Sequence, residues 1–432
     1  MAGIKTWKFR LGALACFCLL GILFLGYVLC NGSNCALQKS NPASFRNNYE
    51  AYFAGTYIRN NFSRELLNKD YAVNIENQDV IVFLHIQKTG GTTFGKHLVE
   101  HLAVNPRCTC VHTDENEKKH CDCLTANKEV WLFSRYSTGW KCGLHADWTE
   151  LKACVNDYFQ ETYGHKRRRY FYVTLLRDPV KRFISEWLHV NRGATWKSAS
   201  LKCNGQEASI RDVPFCFTGR DWRGVTLMEF MACKHNLAIN RQTRMLANLS
   251  KANCYNSTGM TEEERNSIIL ESAKENLMDM AFFGLSEYQN YTQFLFEHTL
   301  NLHFVEDFKQ HESTHTSRQP ISQDDLNKVA RLNYLDIELY QFAKDLFLQR
   351  VHEAFIEEDI PVPADLMYEL ETRAKHADAN FNQHQSQDGA KNAKEGKVIS
   401  ETNNLDKFVV NNKDSARENA DSLVDDLRDD PR

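Results

Sequence analysis

The sequence predicts an α/β fold in which a central parallel sheet is flanked by helices, preceded by an N-terminal transmembrane helix. Two segments, beginning at Asp79 and Arg168, each read as a buried strand, a turn and a helix, which is the repeating unit of a parallel sheet. An uncharged run from Leu11 to Cys30 indicates the membrane helix. The 432 residues carry a net charge of −4, which argues against a histone-like polyanion binder but allows a local basic cleft.

The N-terminal segment is typical of an uncleaved membrane anchor. Lys5, Lys8 and Arg10 precede the run LGALACFCLLGILFLGYVLC, which is long enough to cross ~30 Å of hydrocarbon as a helix. A cleaved signal peptide is the alternative, but the apolar run exceeds the ~7–15 residues of a typical signal core. We therefore expect residues 1–10 to be cytosolic, 11–30 to span the membrane, 31–77 to form a lumenal stem, and the rest to be lumenal.

Cysteines and glycosylation motifs agree with a lumenal location. Of 14 cysteines, Cys16, Cys18, Cys30 and Cys35 lie in or near the anchor, and the others fall between Cys108 and Cys254. This even-numbered group predicts disulfides, because such bonds form in oxidising compartments. The pairs Cys108-Thr-Cys110 and Cys121-Asp-Cys123 leave zinc as an alternative, but C-x-C is poor zinc spacing, so we expect no metal. The glycosylation motifs begin at Asn61, Asn248, Asn256 and Asn290.

The first strand-to-helix unit carries a candidate phosphate-binding turn. The strand DVIVFLHI leads into Lys88, Thr89, Gly90, Gly91, Thr92 and Thr93, and a helix follows at once. Glycines permit close approach, the helix N-terminus favours an anion, and Lys88 adds a full charge. The alternative is an ordinary turn with a solvated lysine. Because Lys88 precedes the glycines, the turn is not a Walker A motif, which argues against nucleoside triphosphate hydrolysis.

The second unit and the segments after it complete a catalytic domain over 78–358. The strand RRYFYVTLL ends at Arg177-Asp178-Pro179, where Asp178 can cap a helix and Pro179 suits its first position. Apolar spacing predicts further helices over 262–279, 286–299 and 323–355. Residues 359–432 read as a polar, largely disordered C-terminal tail.

Four segments resemble the heparan sulfate 6-O-sulfotransferase family: LHIQKTGGTTFGKHL, LFSRYSTGWKCGLHADW, LLRDPVKRFISEWLHVNRGATWK and AFFGLSEYQ. The resemblance runs from about Asp79 to Arg350 and includes the general sulfotransferase pattern of a phosphosulfate loop and a 3′-phosphate site. It implies the P-loop-like sulfotransferase fold, 3′-phosphoadenosine 5′-phosphosulfate (PAPS) as sulfuryl donor, heparan sulfate chains as acceptor, and a single-pass type II protein of the Golgi membrane. It implies neither a metal nor a nucleic-acid partner.

The resemblance also implies the residues of the reaction. His145 corresponds to the general base and Lys88 to the group that stabilises the departing 3′-phosphoadenosine 5′-phosphate (PAP). A lone histidine is otherwise more often structural, and His85 is a competitor for the role of base. The donor would contact His85, Ile86, Gln87, Lys88, Thr89, Gly90, Gly91, Thr92, Thr93, Arg177, Ser185, Gln310, His311, His315 and Thr316. The acceptor would contact Lys118, Lys119, Arg135, Trp140, His145, His189 and Trp196.

Two segments of the sequence do not fully match the site that the resemblance implies. The family has a QYNSTRA-type segment where this chain places His315 at the expected arginine, which predicts a weaker, pH-dependent contact with the nucleotide. Lys118 and Lys119 sit in the acidic neighbourhood DENEKKH and are equally well read as an exposed charged loop. The competing functions are sulfation of another glycan hydroxyl, a catalytically inactive glycan-binding membrane protein, and a P-loop kinase.

Overall fold

The computed structural model describes residues 59–375, apart from positions 70, 72, 114–117, 196, 198, 200 and 309–320. The predicted anchor, Trp196 and four of the predicted donor-binding residues, Gln310, His311, His315 and Thr316, lie outside the described residues. Within the described part, no helix has the length and apolar character needed to span a membrane.

The fold consists of eight strands and eleven α-helices within the described residues, with two short 3₁₀ helices at Ile75–Asn77 and Leu249–Ala252. The strands are β1 (Asp79–Leu84), β2 (Thr109–Thr113), β3 (Lys118–Asp122), β4 (Leu132–Phe133), β5 (Arg169–Leu176), β6 (Lys202–Cys203), β7 (Gln206–Glu207) and β8 (Phe282–Leu285). The helices are α1 (Arg64–Leu67), α2 (Gly91–Glu100), α3 (Trp148–Tyr163), α4 (Pro179–Asn191), α5 (Leu227–Ala232), α6 (Arg241–Leu246), α7 (Glu262–Asp279), α8 (Gln289–Leu300), α9 (Gln323–Leu332), α10 (Tyr334–Glu357) and α11 (364–375).

The central sheet has the strand order β4-β1-β5-β8, and every pair in it is parallel. This confirms the predicted parallel sheet. All six residues of β1 are buried, as expected for a strand covered by helices on both faces. β1 pairs with β5 from Asp79 opposite Arg169 to Leu84 opposite Thr174, so both strands end at the same edge of the sheet. The turns that carry the predicted site therefore lie side by side.

The predicted helix over 323–355 is wrong in one respect, because it is two helices that meet at Asn333. The Asn333 side chain is buried; its Nδ2 donates to the Val329 carbonyl at 2.9 Å, and its Oδ1 accepts from the Asn240 amide at 3.1 Å. These bonds end α9 and hold the start of α10 against the segment before α6. The predicted helix over 262–279 has the same bounds as α7.

The folded domain also extends beyond 358, the predicted boundary of the tail. α11 packs on the domain through Leu366, which is fully buried, and through an ion pair between Arg373 Nε and Asp345 Oδ1 at 2.7 Å. Residues 364–375 are thus part of the domain, whereas 376–432 lie outside the described residues.

Five disulfides confirm the disulfide bonding predicted for the cysteines between Cys108 and Cys254. They join Cys108 to Cys123, Cys110 to Cys121, Cys142 to Cys154, Cys203 to Cys254, and Cys216 to Cys233. The first two close the β2–β3 hairpin, so the four C-x-C thiols that suggested zinc are bonded to each other. Among the described residues no cluster of side chains is arranged to hold a metal ion.

The four glycosylation motifs differ in exposure. Asn61, Asn256 and Asn290 are exposed, and Asn248 is half-buried, with its Oδ1 accepting from the Ser250 amide at 3.1 Å. Glycosylation at these positions stays a prediction.

Candidate active site

The turn between β1 and α2 is shaped to receive an anion. Lys88 and Gly90 adopt positive φ values of 67° and 86°, and α2 begins at Gly91. A Cβ on Gly91 would lie 2.3 Å from His85 Cδ2, so only glycine fits against the imidazole. The first amides of a helix have no partner within it, and the helix dipole favours negative charge at this end. The turn therefore has the backbone chemistry of a phosphate or sulfate site.

Lys88 adds a cation to the turn. The side chain is half-buried, and it makes no ion pair within the described residues. Burial lowers the pKa of its ammonium group, and Arg192 and Arg177 lower it further, whereas Glu186 opposes them. A half-buried ammonium among other cations is stabilised by an anionic ligand.

Arg177 is held rigidly against this turn. Its Nη1 donates to the Lys88 carbonyl at 3.1 Å. Its own amide donates to Gln242 Oε1, and Gln242 Nε2 donates to the Arg177 carbonyl, both at 2.9 Å. Burial lowers the Arg177 pKa, although an arginine keeps its charge at any physiological pH. Ser185 is buried within α4, and Arg177 itself lines a cleft beside the turn.

That cleft has a volume of about 1160 Å³, which is sufficient for a nucleotide. Gly90 and Thr93 form its floor at the turn, and Arg177 and Lys181 line the same end. The β8–α8 connection and α11 form the remaining walls. Two buried atoms of the turn, His85 Nδ1 and Gln87 Oε1, have no hydrogen-bond partner among the described residues.

His145 lies beside the turn, and a hydrogen bond to the backbone fixes the tautomer of its neutral ring. Its Nδ1 is 3.0 Å from the His85 carbonyl oxygen. A carbonyl only accepts, so the neutral ring carries its hydrogen on Nδ1 and presents a basic lone pair at Nε2. Burial lowers the pKa of His145 to about 4; the bond to the His85 carbonyl opposes this shift, and Arg241 and Arg135 add to it. The imidazole is therefore neutral in mildly acidic solution.

An aromatic and cationic wall surrounds this histidine. The centroids of the Trp140 and His85 rings lie 4.6 Å and 4.8 Å from that of His145. The Arg135 guanidinium lies 5.6 Å from the Trp140 ring centroid. Trp140 is 37% exposed, so part of the indole is accessible to a ligand. Aromatic faces and guanidinium groups are suited to sugar rings and their sulfates.

His189, in the last turn of α4, lies on the Lys88 side of the site. Burial lowers its pKa to about 4, and the nearby charges of Lys88 and Arg192 lower it further. Lys118 and Lys119 are in β3 of the disulfide-closed hairpin. The fold thus brings Arg135, Trp140, His145, His189 and the turn into one region.

The segment that carries His145 is held in place by its connections to α3. Asp147 caps α3 by accepting from the Glu150 amide at 3.0 Å, and Glu150 Oε2 accepts from the Asp147 amide at 2.9 Å. The Cys142–Cys154 disulfide joins the same segment to α3. These restraints maintain a positive φ of 55° at His145, which is uncommon for residues other than glycine, although histidine adopts it more readily than most.

Sequence reasoning missed a buried ionic network behind α4. Glu186 is fully buried and pairs with Arg182 and Arg241, and Arg182 Nε lies 3.8 Å from Asp336 Oδ2. The two arginines lower the Glu186 pKa to about 2, against the effect of burial. The only local signal was the spacing of Arg182 and Glu186, four residues apart in a helix that is otherwise apolar on that face.

Comparison with known proteins places these observations in a family context. The profile described as "Sulfotransferase family" matches residues 71–343. Heparan-sulfate 6-O-sulfotransferase 2 of Gallus gallus is 48% identical over 78% of this chain and 85% of its own length. Heparan-sulfate 6-O-sulfotransferase 3 of Homo sapiens is 52% identical over 68% of this chain and 63% of its own, so the match spans less than two thirds of that relative.

Proposed function

The chain belongs to the heparan sulfate 6-O-sulfotransferases of the sulfotransferase family, and from this premise we propose that it transfers a sulfuryl group from PAPS to the 6-hydroxyl of N-sulfoglucosamine in heparan sulfate. The observation that carries the proposal is the bond between His145 Nδ1 and the His85 carbonyl. It orients a neutral imidazole beside an anion-binding turn, and that arrangement suits transfer of an anionic group to a hydroxyl.

The residues of the cleft fit PAPS as the donor substrate. The amides of the turn can donate hydrogen bonds to a 5′-phosphosulfate, and the Lys88 ammonium group complements its negative charge. Arg177 supplies a forked donor for the 3′-phosphate, and its contact with the Lys88 carbonyl keeps the two anion sites adjacent. Ser185, on the helix that follows Arg177, keeps its proposed role as a hydroxyl donor to the same phosphate on the family resemblance alone.

The proposed reaction is a single in-line displacement at sulfur. The acceptor oxygen forms a bond to sulfur while its proton passes to His145 Nε2, and the bond from sulfur to the donor's 5′-phosphate oxygen breaks. Negative charge then develops on that oxygen, and Lys88 stabilises it. The configuration at sulfur inverts, no covalent enzyme intermediate forms, and the assigned residues need no metal.

Acceptor recognition is proposed for the wall around His145. Trp140 offers an exposed aromatic face, and Arg135 and His189 offer donors to sulfates and carboxylates of the glycan. Lys118, Lys119 and Trp196 keep the same proposed role on the family resemblance alone. The names of the two relatives specify heparan sulfate and the 6-position, and we propose the same acceptor for this chain.

The proposed location is the Golgi membrane, with a type II topology and a lumenal catalytic domain. Five disulfides support it, because disulfides persist in oxidising compartments. The apolar run at 11–30 supplies the proposed anchor.

The test is to incubate the full-length protein with labelled PAPS and an N-sulfated heparan that lacks O-sulfates, and then to digest the product to disaccharides. Label on the 6-hydroxyl of glucosamine is the expected result. Label on the 2-hydroxyl of uronic acid would keep the donor assignment and overturn the acceptor. Retention on immobilised PAP without any transfer would indicate an inactive glycan-binding protein.

A further inference from the structure

The cleft beside the turn is lined by cations near the turn and by residues of α11. Arg177 and Lys181 line it together with Gly90 of the turn, and Glu287 is beside them, since its Oε1 accepts from the Asp178 amide at 3.0 Å. Asp365, Tyr368 and Glu369 line it from α11. A phosphate group is favoured by the turn, Arg177 and Lys181. A nucleotide with its phosphates there would place its uncharged base against the rest of the lining, which includes α11.

α11 forms a fixed wall of the cleft. Glu369 Oε2 pairs with Lys344 Nζ at 3.1 Å, and its Oε1 accepts from the Tyr288 hydroxyl at 3.1 Å. Leu366 is fully buried beneath the helix, and Arg373 pairs with Asp345. These contacts come from both α10 and the β8–α8 connection, so α11 is anchored to the two elements that border the cleft.

One side chain of this wall is left largely uncovered. Tyr368 lines the cleft and is 70% exposed, more than any other large hydrophobic side chain in the described part of the chain. Exposing such a ring forgoes the burial free energy that its neighbour Leu366 gains. An aromatic ring at the rim of a nucleotide-sized cleft is well suited to stacking on a base, since every base offers a flat face.

We propose that α11 is the outer wall of the donor site and that Tyr368 stacks on the nucleobase of the donor. This inference rests on the proposed function, because it takes PAPS as the ligand of the cleft. Asp365 lies in the same wall, where a carboxylate can accept from an exocyclic amino group. The sulfuryl transfer itself does not involve α11, so the role of Tyr368 is donor affinity.

The test compares two ligands on one set of full-length variants by calorimetry. The ligands are PAP and ribose 3,5-bisphosphate, which keeps both phosphates and lacks the base. For Tyr368→Ala we expect about 5- to 30-fold weaker binding of PAP and unchanged binding of the base-free ligand. Tyr368→Phe should bind PAP as the wild type does. Met367→Ala is the matched control, because Met367 is on the same helix, 38% exposed, and does not line the cleft.

The outcomes separate this inference from the proposed function. Wild-type protein that does not bind PAP would overturn the donor assignment and this inference with it. Wild-type binding with an unchanged Tyr368→Ala constant would overturn the stacking role alone. Equal losses for both ligands would also overturn it, because they would indicate a displaced helix rather than a lost contact with the base; thermal melting of each variant reports such a displacement directly.

Discussion

Replacing Gly91 by alanine tests whether the turn is shaped by close packing against His85. The added Cβ would lie 2.3 Å from His85 Cδ2 and 2.6 Å from Nε2. Carbon atoms in contact stay about 3.5–4.0 Å apart, so the imidazole or the turn must move by roughly 1 Å. His85 is 7% exposed and stacks on Phe83 with centroids 5.4 Å apart, which restricts its movement.

The consequences extend from the turn to the base, because the His85 carbonyl orients His145. A misplacement of about 1 Å in a catalytic constellation can cost on the order of 100-fold, and overpacking costs about 1–3 kcal/mol of stability. We therefore expect kcat/KM of Gly91→Ala to fall by about 100-fold, with weaker PAP binding and a lower melting temperature.

Gly95→Ala is the matched control, one turn further along α2. Its Cβ would approach the Tyr136 ring at 3.2 Å, a contact that small adjustments relieve, and alanine is favoured over glycine in a helix interior by about 1 kcal/mol. Steady-state kinetics, PAP titration and thermal melting are measured on both variants. Near-wild-type activity in Gly91→Ala, or equal losses in the two variants, would refute the packing argument.

Three further predictions concern the charges of the site. Because burial lowers the His145 pKa to about 4, the base stays neutral as pH falls and protonates only near that value. A pH profile of kcat/KM should therefore be level from about pH 8 to 6 and decline towards pH 4. A midpoint near pH 6.5 would contradict this assignment of the His145 pKa. Lys88→Ala should lower kcat by about 100- to 1000-fold and leave the acceptor KM nearly unchanged. A change in KM without a change in kcat would show that Lys88 does not stabilise the departing PAP. Glu186→Ala removes the carboxylate that Arg182 and Arg241 share and leaves Arg182 only the 3.8 Å contact with Asp336, so it should lower the free energy of unfolding by about 3–5 kcal/mol. An unchanged denaturant unfolding curve would show that the network does not stabilise the fold.

Parts of the fold that depend on local pattern were predictable from the sequence. The continuous apolar runs of β1 and β5 indicate buried parallel strands, and α7 has a capping Thr261 followed by acidic residues in its first turn. The break at Asn333 was not predictable, because the side chain acts through Asn240, which is distant in sequence. α11 did carry a signal, since Leu366 and Leu370 are spaced by one helical turn, but the polar composition around them masked it.

The candidate site likewise has a part that local sequence pattern predicts and a part that depends on residues distant in sequence. The turn at Lys88 is evident from strand, glycines and helix, whereas the clamp of Gln242 on Arg177 depends on residues that only the folded chain brings together. The assignment of His145 rested on family resemblance, because a lone histidine has no local feature that marks a base. Its tautomer follows from a contact with a carbonyl in another loop, and a contact of that kind leaves no pattern in the sequence.

The proposed mechanism requires above all that His145 acts as the base beside an intact donor site. The decisive measurement is single-turnover sulfuryl transfer by His145→Ala, with PAP affinity determined on the same preparation. We expect PAP to bind as it does to the wild type and the transfer rate to fall by about 100- to 10,000-fold. Transfer at the wild-type rate with normal PAP binding would contradict the account.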